Sequence, residues 1–152
     1  MKIDDAEKAI LSCLQEDARM TNAELARRVG LSESPCFRRV KSLEKSGVIA
    51  RYAARIDRRK VGLPVTAFVE VTMARQSDKA TQDFLRRVRA EPHILDCHAM
   101  SGAYDYLMKV VARDMDHFSD LCMKRILKFP GVSNVQSSFS LDEVKVDSVV
   151  PA

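Results

Sequence analysis

Ser34, Arg38, Lys41, Ser42 and Lys45 follow one another at spacings that put side chains on one face of a helix. One guanidinium, two ammonium groups and two hydroxyls, with no carboxylate among them, make a donor array suited to phosphate oxygens and to the edges of bases. Arg39 falls on the flank. Cys36, Phe37, Val40 and Leu43 lie within a sector of roughly 120° on the other side, at about 100° per residue, and are expected to form a buried stripe. The chemistry available here is polyanion binding. The competing reading is a solvated cationic face on an ordinary helix.

The elements that must position this face occupy residues 21–47. Leu25, Ala26 and Val29 recur at helical spacing, and Gly30 can take the left-handed conformation that stops a helix. Leu31 then plugs the core. Ser32 is placed to cap the next helix by accepting a backbone N–H, and Pro35 sits in its first turn, where a missing N–H is tolerated. Two helices joined by a tight turn, the second presenting cations and hydroxyls, form a helix-turn-helix DNA reader. Double-stranded DNA is therefore the expected partner, with Ser32, Ser34, Pro35, Arg38, Arg39, Lys41, Ser42 and Lys45 as candidate contacts. A preceding helix is expected over about Asp5 to Glu16, capped by Asp4 or Asp5, with Ile3, Ile10, Cys13 and Leu14 as its stripe. After Gly47 the chain reads as extended to Ile56 and ends in Asp57-Arg58-Arg59-Lys60. This reads as a wing whose cations lie on the phosphate backbone, as a connector to the second half, or as both.

Charge is unevenly spread. Residues 1–62 hold 14 basic and 9 acidic residues, a net +5, whereas residues 63–152 hold 11 and 12, a net −1. A basic half joined to a near-neutral half suggests a polyanion-binding module attached to something else. No run approaches the ~20 apolar residues that span a membrane. The acidic start Met1-Lys2-Ile3-Asp4-Asp5 lacks an apolar signal region, so a cytoplasmic protein is expected. Cys13, Cys36, Cys97 and Cys122 form no Cys-x-x-Cys pair, and His93, His98 and His117 complete no metal pattern. Buried reduced thiols are expected, with no metal and no cofactor.

Val61-Gly62-Leu63-Pro64 marks a boundary, dividing the chain into 1–60 and 61–152. Val65, Ala67, Val69, Val71 and Met73 then alternate as one face of a strand. A helix capped by Ser77 or Asp78 buries Ala80, Phe84, Leu85 and Val88 and ends at Glu91-Pro92. A strand over Ile94–Ala99 follows. The unit repeats at an offset of 38 residues: Phe68 maps to Tyr106, Asp78 to Asp116, Phe84 to Cys122, Val88 to Ile126 and Pro92 to Pro130. The second copy is expected as strand Tyr104–Val111, helix Asp116–Lys128 and strand Val132–Leu141. Met100-Ser101-Gly102-Ala103 is the hairpin between the copies, with Gly102 supplying special dihedrals. Glu143–Val150 is expected as a last short strand. The fold class is thus α+β, a winged helix-turn-helix followed by a ferredoxin-like βαββαβ sandwich. A sheet with helices on one face must cover the other, and symmetric self-association does so.

In this order the chain resembles the Lrp/AsnC family of leucine-responsive, or feast/famine, transcriptional regulators. The residues that carry the resemblance begin with Asp4-Asp5, Ile10-Leu11, Leu14-Gln15 and Asp17-Ala18-Arg19. They continue through Asn22-Ala23-Glu24-Leu25-Ala26, Val29-Gly30-Leu31-Ser32, Ser34-Pro35-Cys36, Arg38-Arg39-Val40, Leu43-Glu44, Gly47-Val48-Ile49 and Tyr52-Ala53-Ala54. The second half adds Cys97-His98, Ser101-Gly102-Ala103-Tyr104-Asp105-Tyr106-Leu107-Met108, Pro130-Gly131-Val132 and Glu143-Val144-Lys145. The resemblance implies a dimer built by the second half, assembled into octamers, with an amino-acid effector bound between subunits. The implied effector residues are Ser101, Gly102, Ala103, Tyr104, Asp105 and Tyr106. Many members carry an acidic residue directly after the glycine, where this chain has Ala103.

Read from the residues alone, the same turn has two meanings. Gly102 permits close backbone approach, backbone N–H groups can take a carboxylate, and Asp105 can pair with an ammonium. Alternatively Gly102 makes a hairpin and Asp105 is a solvated or dimer-bridging charge. No nucleophile, base and orienting group stand together, so an enzyme is not expected. The remaining alternative to an effector-responsive regulator is a DNA-architectural protein of the same fold that senses no small molecule.

Overall fold

A computed structural model describes residues 3–74, 78–145 and 149–151. The chain separates into two compact units, Met1–Arg55 with Lys145–Ala152, and Ile56–Val144. No helix among the described residues is long and apolar enough to cross a membrane.

In the first unit, α1 (Asp5–Glu16) starts at a reciprocal cap. The Glu7 amide donates to Asp4 Oδ1 (2.8 Å) and the Asp4 amide donates to Glu7 Oε2 (3.1 Å), so two otherwise orphan donors are satisfied. Helix α2 (Asn22–Arg28) is capped by the Thr21 hydroxyl, which accepts from the Glu24 amide. Gly30 has φ +69° and lets the Leu31 amide reach back to the Ala26 carbonyl at 2.9 Å. Helix α3 runs Glu33–Lys45. Ile10, Leu25, Ala26, Cys36 and Leu43 close a core over which Leu14, Leu31, Val40 and Ile49 pack. The tail returns to α1: the Gln15 side-chain amide donates to the Val150 carbonyl (3.0 Å) and accepts from the Val150 amide (2.7 Å).

The bond from the Glu7 amide, and then the Arg39 guanidinium beside it, hold the Asp4 carboxyl below its ordinary pKa. A lowered carboxyl stabilises the fold fully above its unfolded value near 3.8 and loses that contribution as pH falls through the folded value. Acid titration followed by circular dichroism should therefore show α1 loosening below about pH 4. Asp4→Asn, which keeps a cap but not the charge, should flatten that dependence. An unchanged titration would remove Asp4 from the account.

Residues 48–49 bend, 50–57 take no regular secondary structure and enter no strand pairing, and 58–62 form turns. The strand pair expected of a wing does not form among these residues.

The second unit is a four-stranded antiparallel sheet in the order β2-β3-β1-β4, with β1 Val65–Met73, β2 Ile94–Ala99, β3 Tyr106–Ala112 and β4 Val132–Phe139. Helix α4 (Asp78–Ala90) and α5 (Met115–Asp120) supply the two crossovers. Ala67, Val69, Val71, Met108 and Val110 meet Phe84, Val88, Phe118, Leu121 and Ile126 in one core. This is the ferredoxin-like arrangement.

Several sequence expectations are corrected in detail. The second crossover helix does not run evenly to Lys128: Leu121–Arg125 widens into a π turn, with the Ile126 amide reaching the Leu121 carbonyl, and Ile126–Lys128 tightens to 3-10. The wide turn brings Leu121, Cys122 and Ile126 to the core together, although the first and last are five positions apart. The 38-residue offset holds for the helices, where Phe84 and Cys122, and Val88 and Ile126, share the core. It fails on the strands: Phe68 points out to solvent while Tyr106 packs inward on Phe84. Strand β4 stops at Phe139, and residues 143–145 and 149–150 form no strand. Val146 of that expected strand, and Ser77 of the expected cap, lie outside the described residues. Asp78 is inside α4, as its first residue. Among the cysteines, which are all free, Cys36 and Cys122 are buried but Cys13 and Cys97 only half-buried. Burial pushes the Cys36, Cys97 and Cys122 thiols up in pKa, which makes them poor nucleophiles.

Candidate nucleic-acid interface and effector loop

Helix α3 is fixed at both ends before its exposed face does anything. At its start the Asn22 side-chain amide donates to the Glu33 carbonyl (3.0 Å), tying the first turns of α2 and α3 together. Sequence reasoning missed this clasp; an amide side chain at the start of one helix, eleven residues before the next, was the available signal. At the other end, the Ser46 and Gly47 amides close on the Ser42 and Glu44 carbonyls, and Gly47 has φ +77°.

Ser32 occupies the cap position with an extended backbone, yet its hydroxyl makes no capping bond. A cap side chain accepts from the second or third helical amide, and the third residue here is Pro35, which has none. Ser32 is exposed, so its hydroxyl remains available to an incoming group. Pro35 is half-buried in the first turn.

Ser34, Arg38, Lys41, Ser42 and Lys45 are all exposed. Arg38 has no ion pair among the described residues. Lys41 is held by Glu44 (Nζ to Oε2, 2.7 Å), which also accepts from the Tyr52 hydroxyl at 3.1 Å. The bond from Lys41, then that from Tyr52, keep the Glu44 carboxyl below its ordinary pKa. Glu44 therefore stays charged and offsets part of the Lys41 field. Arg39 turns away from this face toward α1, where it meets Asp4 at 2.5 Å and Glu7 at 3.9 Å. The structure thus groups Arg38 with the two serines and the two lysines, and sets Arg39 apart. The expected buried stripe is corrected as well: Cys36 and Leu43 are sealed, but Phe37 is 52% exposed. It lies about 100° round the helix from Cys36, at the stripe's edge.

The loop between β2 and β3 spans residues 100–105. Asp105 anchors it. The Met100 amide donates to the Asp105 carbonyl (2.9 Å), the Asp105 amide to the Val71 carbonyl (2.9 Å), and the Met73 amide to Asp105 Oδ2 (2.6 Å). These bonds to the end of β1 are why β3 begins at Tyr106 rather than at the expected Tyr104. Ser101, Gly102, Ala103 and Asp105 are exposed, while Tyr104 and Tyr106 are half-buried. The Tyr106 ring packs on Phe84 with centroids 4.7 Å apart. Gly102 does not have positive φ, which corrects the expectation of special dihedrals. A Cβ added there would meet nothing within 4 Å, so what the glycine leaves is open space beside the loop. Asp105→Ala should free the Met73 amide and cost about 1 kcal/mol, the usual net value of a hydrogen bond. Hydrogen exchange at Met73 should accelerate; an unchanged rate would show the bond to be dispensable.

A family model described as the Lrp/AsnC ligand binding domain matches residues 66–150, and one described as winged helix-turn-helix DNA-binding matches residues 3–50. The chain belongs to the Lrp/AsnC family. Its relatives in this family include the leucine-responsive regulatory protein of Escherichia coli (strain K12), 36% identical over 143 residues, 94% of this chain and 87% of that protein. The transcriptional regulator AzlB of Bacillus subtilis (strain 168) is 32% identical over 149 residues, 98% and 95% of the two chains. Among solved structures, a transcriptional regulator from Neisseria meningitidis in complex with L-Met is 41% identical, with a TM-score of 0.95 over 99% of this chain and 97% of that one. An AsnC family regulator from Agrobacterium tumefaciens is 36% identical, with a TM-score of 0.92 over 97% and 96%. The protein is therefore an Lrp/AsnC-family transcriptional regulator with a DNA-binding helix-turn-helix and a ligand-binding domain. The relatives named here are regulators, not enzymes.

Proposed function

We propose that the protein binds particular DNA sequences through the exposed face of α3 and answers a small amino-acid effector held at residues 101–106. The observation that carries the DNA reading is Arg38. It is exposed, has no ion pair among the described residues, and stands between two hydroxyls on a helix clasped at both ends. Arginine in that setting is suited to the paired acceptors of guanine. Ser32, Ser34, Pro35, Lys41, Ser42 and Lys45 are the other proposed contacts. Arg39 is assigned to the same surface at its margin, where it must leave Asp4 to reach a phosphate. Arg38→Ala is expected to weaken binding to a preferred duplex by about 1–3 kcal/mol and to relax base preference. Fluorescence anisotropy on preferred and scrambled duplexes measures both. An equal loss on the two would make Arg38 a phosphate contact.

The effector reading is supported by the open space at Gly102, by the second oxygen of Asp105, and by the relative bound to L-Met. The effector's ammonium is assigned to Asp105 and its carboxylate to backbone N–H groups of the loop. Calorimetry with the twenty amino acids tests this, using Asp105→Asn, which keeps an acceptor for the Met73 amide but removes the charge. Millimolar or tighter binding that is lost in Asp105→Asn supports the assignment. Ala103, where many family members are acidic, favours the second reading, a DNA-architectural protein without an effector; the absence of any amino-acid binding would select it.

The protein is also proposed to act in the cytoplasm as a homo-oligomer, at least a dimer and by family likeness an octamer. Phe68 and Leu95 lie exposed on β1 and β2, and a second copy would cover them. Light scattering at micromolar concentration should report a mass of two chains or more; a monomer would contradict this.

A further inference from the structure

Phe37 does not do the work its position in the sequence suggests. Cys36 and Leu43 are completely buried and Val40 packs on the same core, so α3 is held to its neighbours without the Phe37 ring. The ring is instead 52% exposed, with Lys41 Nζ 5.7 Å from its centroid. At about 100° per residue, Phe37 lies about 40° from Lys41, about 60° from Ser34 and about 100° from Arg38. It therefore forms one edge of the face that presents the cations and hydroxyls. It is the fifth residue of a helix that begins at Glu33, in the N-terminal half, from which recognition helices touch base edges.

A large exposed ring beside a guanidinium, an ammonium and a hydroxyl suits a surface that is anionic with an apolar point in it. The major groove of duplex DNA is such a surface: phosphates line it, and the 5-methyl group of thymine is its apolar feature. We propose that Phe37 is a specificity determinant that packs on the 5-methyl of a thymine, next to the base read by Arg38. The inference rests on the proposal that α3 reads DNA. It adds a base preference that hydrogen-bond donors alone do not provide, because the methyl group has no acceptor.

The test uses the full chain and a duplex enriched by selection from a random pool. Each thymine of that duplex is replaced in turn by deoxyuridine, which removes the methyl and leaves every hydrogen-bonding edge intact. At one thymine of each half-site the replacement should weaken wild-type binding about fourfold, the effect of one buried carbon. Phe37→Ala should bind the thymine and uracil duplexes alike, and Phe37→Leu should recover part of the difference. Circular dichroism of Phe37→Ala should match wild type, since the core is closed without the ring. Uracil duplexes that all bind wild type as tightly as the parent would overturn the assignment, as would a uracil penalty that persists in Phe37→Ala. A selection that enriches no sequence at all would instead overturn the DNA-reading account, and this inference with it.

Discussion

Phe84→Ala is expected to destabilise the unit of residues 56–144 by about 3–5 kcal/mol, the usual cost of removing a fully buried aromatic ring. Phe84 is completely buried on the sheet side of α4. Its ring meets Tyr106 at 4.7 Å and Phe129 edge-on at 6.3 Å, so two aromatic rings, from β3 and the segment before β4, lose a common partner. Such ring pairs contribute beyond the area they bury, by about 0.5–1.5 kcal/mol each. The second consequence is functional. Tyr106 directly follows the 100–105 loop, so losing the ring behind it should loosen the proposed effector site even in molecules that remain folded. Denaturant unfolding measures the first effect and calorimetric binding of an effector the second. A loss below about 1 kcal/mol would mean that the site collapses around the cavity far better than this packing allows.

Leu43→Ala is expected to cost about 2–5 kcal/mol in the first unit. The loss falls on a small core. Leu43 is one of five buried hydrophobic residues there among the described residues, with Ile10, Leu25, Ala26 and Cys36, and it is completely sealed. Units of this size keep only a few kcal/mol of net stability. The substitution should therefore unfold much of the helix-turn-helix and remove DNA binding, although Leu43 is sealed inside the core. Helical circular dichroism and anisotropy should fall together. Full DNA binding in a folded Leu43→Ala variant would contradict the assignment of that face to the core.

What was legible in the sequence depended on whether one local rule or a distant partner decided the outcome. Helix α1 over Asp5–Glu16 and strands β1 and β2 have the bounds that their caps and alternation predicted. A cap residue and a strong period act within a few residues and face no competition. The buried side of α3 was legible at Cys36 and Leu43 but not at Phe37, because periodicity marks a sector and not its edge. Ser32 looked like a cap on residue type alone, while Pro35 three positions later removes one of the two amides it would serve. The start of β3 was misplaced by two residues, since the bonds from Asp105 to Val71 and Met73 join residues more than thirty apart. For the same reason the ammonium-binding reading of Asp105 omitted that one carboxylate oxygen already serves the fold. Arg39 was legible as basic and flanking. Its commitment to Asp4, thirty-five residues away, follows only from how α1 and α3 pack.

The central claim is that this chain reads particular DNA sequences, and the most direct measurement of it is the ratio of two affinities. The full chain is titrated, at about 0.15 M salt, against a duplex enriched from a random pool and against a scrambled duplex of the same composition. The account predicts that the enriched duplex binds on the order of a thousandfold more tightly, or better, as specific regulators do. A ratio near one, with both affinities falling equally steeply as salt rises, would mean that only the phosphate backbone is recognised and would contradict the account.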